Sequence, residues 1–190
     1  MKNHFASLIQ GHQEAFDKTF VPAQIEVLHK ITHAIVNVLK SGNKILICGN
    51  GGSASDSQHV AAEFIGRFST ERISLPAIAL TADTAALTAI GNDYGFDKVF
   101  SRQIEGLGKK GDVLITISTS GRSPNILEAI GQAKQQGILT IGFTGKDGGI
   151  LKDAVDLCFI AKANKTTHVQ EMHITALHAI CEAVENILFE

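Results

Sequence analysis

At 190 residues, with 44% hydrophobic and 19% charged side chains, the chain has the make-up of one compact globular domain and excludes a disordered or fibrous protein. A formal net charge of −2, with Lys109-Lys110 the only notable basic pair, gives no electrostatic footprint for a nucleic-acid backbone, so direct DNA or RNA binding is not expected. Cys48, Cys158 and Cys181 are odd in number, widely spaced and in apolar surroundings, which predicts reduced core thiols. The N-terminus lacks a signal-type apolar core and no apolar run approaches the roughly 18 residues that span a bilayer, so the expected location is the cytoplasm, with no membrane partner.

Phe5, Leu8, Ile9, His12, Phe16 and Phe20 recur at helical spacing. Pro22 interrupts, and Ile25, Leu28, Ile31, Ile35 and Leu39 resume the pattern, which predicts two amphipathic helices over 1–41. Gly42 closes the second, and Lys44–Cys48 reads as a buried strand entering a glycine turn, where the core of the domain (42–190) begins. Further apolar runs at Ala77–Leu80, Val113–Ile117, Leu139–Phe143 and Val155–Ile160 bring the predicted strands to five. Helical patterns over Thr84–Ile90 and Ile126–Gln136 fall between them, so the alternation argues for βαβ units, a mainly parallel sheet and right-handed crossovers. The last segment, His168–Phe189, carries Met172, Ile174, Leu177, Ile180, Cys181, Val184 and Leu188 and predicts a long helix packed on the sheet or on a second copy of the chain. No internal repeat or linker divides residues 1–190, so a single domain is expected.

Ligands of parallel sheets sit beyond the carboxyl ends of the strands, which directs attention to two turns. Cys48-Gly49-Asn50-Gly51-Gly52-Ser53 places three glycines between strand and helix, where backbone amides approach an anionic or carbonyl oxygen closely. It lacks the third glycine of a dinucleotide fingerprint and the Lys-Ser/Thr of a Walker loop, and a plain tight turn explains it equally well. The second turn, Ile117 to Asn125, offers the hydroxyls of Ser118, Thr119, Ser120 and Ser123 around Gly121, with Pro124 placed to begin a helix. Hydroxyls together with the free amides of a helix N-terminus satisfy a phosphate monoester without a lysine, whereas an ordinary serine cap would account for only one of the four. His59 and Glu63 share one face of the helix that the glycine turn opens, although spacing alone equally describes a chance surface pair. Gln170 and His178 lie about 80° apart around the final helix, close enough to converge on one site. A lone histidine on an apolar helix is more often a core residue, and Glu171 and His173 are left without a role.

The blocks CGNGGS at 48–53, QHVAAEFIGRF at 58–68, LPAIAL at 75–80, AIGNDYGF at 89–96, ISTSGRSPN at 117–125, TGKDGG at 144–149 and VQEMH at 169–173 closely resemble, in order and in one register from about residue 40 onward, the phosphoheptose isomerases of the sugar-isomerase (SIS) fold. The resemblance implies an α/β, three-layer αβα sandwich on a five-stranded parallel sheet, assembled as a homotetramer with active sites between subunits. The N-terminal helices suit a role in that oligomerisation. By the same resemblance Asn50, Gly51 and Gly52 contact substrate, Asn92 and Asp93 hold sugar hydroxyls, and Ser118, Thr119, Ser120 and Ser123 bind the phosphate. His59, Glu63, Gln170 and His178 match the family's zinc positions, one Zn2+ per subunit, with Glu63 and Gln170 also meeting substrate. Nitrogen and oxygen ligands without cysteine are acceptable for zinc.

The implied reaction converts D-sedoheptulose 7-phosphate to D-glycero-D-manno-heptose 7-phosphate through an enediol, opening the route to nucleotide-activated heptose and lipopolysaccharide. Glu63 is the expected carbon base and His178 the proton donor or carbonyl polariser, in competition with any role as metal ligands. The alternative is the DiaA-type relative, a non-enzymatic SIS tetramer that binds the bacterial replication initiator. Relatives of that kind lack counterparts of Glu63 and His178, both present here. A phosphosugar-sensing regulator ranks last, since no basic helix-turn-helix segment accompanies the domain.

Overall fold

The computed structural model describes residues 2–189. Five parallel strands form its centre: β1 Ile45–Gly49, β2 Ala77–Ala79, β3 Val113–Ser118, β4 Leu139–Gly145 and β5 Leu157–Ala161, in the spatial order β2-β1-β3-β4-β5. Every residue of β1 and β3 is buried. Helices cover both faces of the sheet, which is why these strands read in sequence as unbroken apolar runs rather than alternating ones.

The two-residue period of a strand sends alternate side chains into two separate cores. Ile45, Ile47, Val113, Ile115, Ile141 and Phe143 face one layer, made by α2 (Pro22–Lys40), α3 (Gly52–Ile65) and α8 (Thr166–Phe189) through residues such as Ile31, Ile35, Val60, Phe64, Met172 and Leu177. Leu46, Cys48 and Leu114 face the other, where α5 (Ser101–Leu107), α6 (Pro124–Gln135) and α7 (Leu151–Ala154) contribute Ile104, Ile126, Ile130 and Leu151. The chain is therefore the expected three-layer αβα sandwich. α4 (Thr84–Tyr94), capped by the Asp83 carboxylate on the Ala86 amide, and a 3-10 turn at Phe96–Lys98 complete the second layer's edge.

The predicted strands and long helices are present with ends shifted by a few residues. α5 and α7 were not predicted, because seven and four residues are too few to display a helical period. α1 (Lys2–Thr19) forms, but only part of its expected apolar stripe, Leu8 and His12 with Phe20 beyond its end, turns toward the body of the chain. Ala15 and Thr19 are buried and Leu8, Gly11 and His12 half-buried against the body of the chain, while Phe5, Ile9 and Phe16 are exposed.

Candidate active site

The chain runs from β1 outward to β2 and from β3 outward in the opposite direction to β4 and β5, so the strand order reverses between β1 and β3. A crevice opens at the carboxyl ends of two strands whose connections diverge in this way. Here it is a cleft of about 260 Å³ lined by Asn50, Gly51, Gly52 and Ser53 after β1, Ser118, Thr119 and Ser123 after β3, and Thr166 and Gln170 of α8. Three helices begin on its wall: α3 at Gly52, α6 at Pro124 behind Ser123, and α8 at Thr166. Each helix start presents unpaired amides and the positive end of its dipole, and three of them around hydroxyl groups make a seat for an anion.

The two turns are tied to each other. The side-chain amides of Asn50 and the buried Asn125 exchange hydrogen bonds of 2.8 and 2.9 Å, bridging the glycine turn to the first turn of α6. Ser118 Oγ lies 3.1 Å from Ser123 Oγ across the mouth of the hydroxyl loop. Gly121, in the left-handed region at φ 63°, lets the loop turn against Gly148 and Gly149, and its carbonyl accepts from the Leu151 amide at 3.0 Å. Arg122 does not line the cleft. Its guanidinium donates to both carboxylate oxygens of Asp147, at 3.1 and 2.7 Å, and holds that exposed carboxyl well below the usual carboxylate range. The polar groups that line the cleft are amides and hydroxyls, with no lysine or arginine among the lining residues. Of the four hydroxyls, Ser120 is the one absent from the lining, since its Oγ accepts from the Arg122 amide at 3.2 Å. Burial pushes the Cys48 thiol, beside the glycine turn, well above its ordinary range, so it packs and is no nucleophile.

From the cleft, α3 and α8 run side by side in the same direction. Gly52 abuts Gln170, and a Cβ at position 52 would sit 2.5 Å from Gln170 Nε2, so only glycine admits that amide to the wall. Two turns further on, His59 Nε2 lies 2.9 Å from His178 Nε2 and 3.2 Å from Glu63 Oε1. Ligating atoms of His59, Glu63 and His178 all lie within 4.8 Å of one another. Further still, Glu185 receives the amides of Phe68, Ser69 and Thr70 and the guanidinium of Arg72, which fixes the chain leaving α3.

The structure thus gathers Asn50, Gly51, Gly52, Ser118, Thr119, Ser123 and Gln170 at the cleft and His59, Glu63 and His178 in the adjoining groove. Asn92 and Asp93, exposed at the end of α4 and paired with each other at 2.8 Å, are not on this wall. Asp56 was not singled out in the sequence, yet it sits one turn before His59 on α3. Burial raises its carboxyl pKa while the rings of His59 and His178 pull it back, and its Oδ2 is buried without a partner among the described residues. Its i,i+3 and i,i+7 spacing to His59 and Glu63 was the available signal. Two imidazole nitrogens turned toward each other beside a carboxylate form a donor set that fits zinc, whose nitrogen and oxygen ligands commonly come from this trio of side chains.

Comparison with known proteins agrees with this geometry. The SIS domain family profile matches residues 13–145. The phosphoheptose isomerase of Aliarcobacter butzleri (strain RM4018) is 52% identical over 188 residues, 99% of each chain. The structure of phosphoheptose isomerase GmhA from Neisseria gonorrhoeae is 44% identical with a TM-score of 0.86, covering 97% of this chain and 96% of that one. A phosphoheptose isomerase structure from Francisella tularensis is 35% identical with a TM-score of 0.87 over the same shares. With a near-full-length relative at this identity and the SIS profile over most of its length, the chain belongs to the phosphoheptose isomerase family of SIS-domain proteins.

Proposed function

We propose that the chain isomerises D-sedoheptulose 7-phosphate to D-glycero-D-manno-heptose 7-phosphate, the first step toward nucleotide-activated heptose of the kind used in lipopolysaccharide. The observation that carries this reading is the adjacency of the anion cleft to the His59–Glu63–His178 cluster on one parallel helix pair. Gly52 and His59 are seven residues apart, roughly 10 Å along α3. That span suits a sugar chain with its phosphate at one end and its reacting carbons at the other.

Ser118, Thr119 and Ser123, with the helix N-termini, take the phosphate, Ser120 shapes the loop by accepting from the Arg122 amide, and Asn50, Gly51, Gly52 and Gln170 hold the sugar. The Glu63 carboxylate removes a proton from C1, the electron pair forms the C1–C2 double bond, and His178 protonates the C2 oxygen to give the enediol. Glu63 then returns its proton to C2 while the O1 proton passes to His178, leaving the C1 aldehyde and restoring both groups. His59, Glu63 and His178 would hold one zinc ion per subunit, in competition with the acid-base roles of Glu63 and His178, while Gln170, implied as a fourth ligand by the family resemblance, lies two turns away beside Gly52. The ion would supply Lewis-acid polarisation of substrate oxygens or order the site. The exposure of Asn92, Asp93 and the apolar residues of α1 supports a homotetramer whose sites lie between subunits, with Asn92 and Asp93 meeting sugar hydroxyls there. Three free thiols and a phosphorylated substrate support the cytoplasm as its location.

Incubation of the purified protein and Zn2+ with sedoheptulose 7-phosphate is expected to yield the aldose heptose phosphate by NMR. Glu63→Gln should lower turnover by at least about 100-fold, the usual share of a general base, with little change in phosphosugar affinity. Near-normal turnover in that variant overturns the assignment of Glu63. Absence of conversion by the unaltered protein, together with capture of the replication initiator, would favour the DiaA-type scaffold, which the neighbouring Glu63 and His178 and the isomerase relatives do not support.

A further inference from the structure

A second cluster of ligating side chains lies outside the cleft, between α1 and the first two turns of α8. His12 Nδ1 lies 2.7 Å from Glu171 Oε2, and His168 Nδ1 lies 3.1 Å from the same oxygen. The three ligating atoms are within 4.8 Å of one another. None of these residues belongs to the phosphosugar site. We propose that His12, His168 and Glu171 form a second divalent-cation site, selective for zinc-like metals, that staples α1 to α8.

Three observations support a cation here over a plain ion pair. First, the Glu171 carboxylate is flanked by two imidazoles, and neither Lys nor Arg is among its ion-pair partners in the described residues. Second, His168 is only 7% exposed, its ring seated where Gly11 has no side chain, and its Nε2 has no partner among the described residues. Nδ1 donates to the Glu171 carboxylate, and because Nε2 is unpaired a cation that replaces that proton and takes the Nδ1 lone pair disrupts no other hydrogen bond of the ring. Third, a two-histidine, one-carboxylate set is that of zinc sites that keep a fourth position open. A cavity of about 460 Å³, lined by Leu8, Ile9, His12, Thr167, His168 and Glu171, lies beside this one to admit water to that position. Zinc ligands at about 2.0–2.1 Å from the metal stand roughly 3.4 Å apart in a tetrahedron, so each imidazole nitrogen needs to draw away from Glu171 Oε2 by less than about 1 Å.

The consequence is structural. α1 buries little of itself, with Ala15 and Thr19 its buried residues among those described, so a shared cation would be a substantial part of what holds it. The cation would also steady the turn of α8 that brings Thr166 and Gln170 to the cleft.

The test is a calorimetric titration of Zn2+ into metal-stripped, full-length protein. His12→Asn and Glu171→Gln are each expected to bind one equivalent fewer per chain than the unaltered protein, and His12→Asn should keep isomerase turnover. In a His59→Asn/His178→Asn background one equivalent should remain and should vanish when His12→Asn is added. A rise in thermal midpoint with Zn2+ should follow the same pattern, because a ligand that binds only the folded state stabilises it. Unchanged stoichiometry in His12→Asn overturns the proposal, whether or not the His59 cluster holds zinc. If only the His59 cluster fails to bind, the unaltered protein loses one expected equivalent and His12→Asn still removes another. Zinc taken up by the exposed His29–His33 pair on α2, whose Nε2 atoms are 3.1 Å apart, would be insensitive to the His12 change.

Discussion

A Cβ added at Gly121 would collide with the Gly148 carbonyl oxygen and sit 2.7 Å from Thr144 Oγ1, in a backbone conformation with φ 63° that L side chains rarely adopt. The opposing turn is packed as tightly, since a Cβ at Gly149 would sit 2.5 and 2.6 Å from the Ser120 and Gly121 carbonyl oxygens. Gly121→Ala should therefore displace Ser118 to Ser123 and cost roughly 1–3 kcal/mol of stability. For the proposed reaction the displacement should appear as a rise in KM for the phosphosugar of about 10-fold or more, with a smaller effect on kcat, since Glu63 and His178 lie elsewhere. Gly131, exposed within α6 with nothing near its would-be Cβ, is the control. Gly131→Ala should stabilise by about 0.5–1 kcal/mol through helix propensity and leave KM unchanged. Steady-state kinetics and denaturant titration of the two variants check the contrast, and equal KM values would remove the hydroxyl loop from phosphate binding.

The parallel pair α3 and α8 is the element that makes one site out of distant segments, and Glu185 locks its far end. Glu185 and Arg72 are 1% and 2% exposed at their side chains, 2.8 Å apart. Burial works against the Glu185 charge, yet the amides of Thr70, Phe68 and Ser69 and the Thr70 hydroxyl outweigh it and hold the carboxyl well below the usual range. Glu185→Gln leaves a buried guanidinium without its counter-charge and should destabilise by about 3–5 kcal/mol, read as a lower denaturation midpoint. A change under about 1 kcal/mol would mean that water enters and replaces the carboxylate. This convergence is also where sequence reading ran out. The strands, the glycine turn and the hydroxyl loop were legible because each is a local pattern: apolar runs, then residues suited to a turn. His59 and His178 are 119 positions apart, and spacing on each helix left both as ordinary surface or core histidines until the family resemblance joined them. Only packing of both helices on the same sheet face brings the rings together. Asp56 and His12 were missed for the same reason, since their significance comes from α8. The buried face of α1 was partly misjudged because hydrophobicity marks a face to be covered without saying whether its own chain covers it.

Both cores share the one sheet, so the described residues should unfold as a single unit and local protonation should be read out in global stability. His173 provides the clearest case. Fully buried on α8, it donates Nε2–H to the Thr144 carbonyl at 2.9 Å and stands edge-on to Phe143 and Phe159. Burial pushes its pKa down to about 4, against the opposing pull of the Thr144 hydrogen bond. In the unfolded chain the same imidazole titrates near 6.5. Between those two values the unfolded state binds the extra proton, so stability is undiminished above about pH 6.5 and falls as the pH drops toward 4. The slope approaches about 1.4 kcal/mol per pH unit and the total is a few kcal/mol, a large part of the ~5–15 kcal/mol typical of a domain. Glu185 acts in the opposite half of the acid range. Its folded pKa is depressed, so its stabilisation is intact above the ordinary carboxylate pKa and is lost only as the pH falls through and below it. The two windows can therefore be separated by chemical denaturation at a series of pH values. His173→Gln, less stable at neutral pH but unable to titrate, should flatten the decline between about pH 6.5 and 4.5 while keeping the steeper loss below it. Glu185→Gln should do the reverse. If His173→Gln retains the full slope above pH 4.5, the proton that unsettles the fold binds elsewhere.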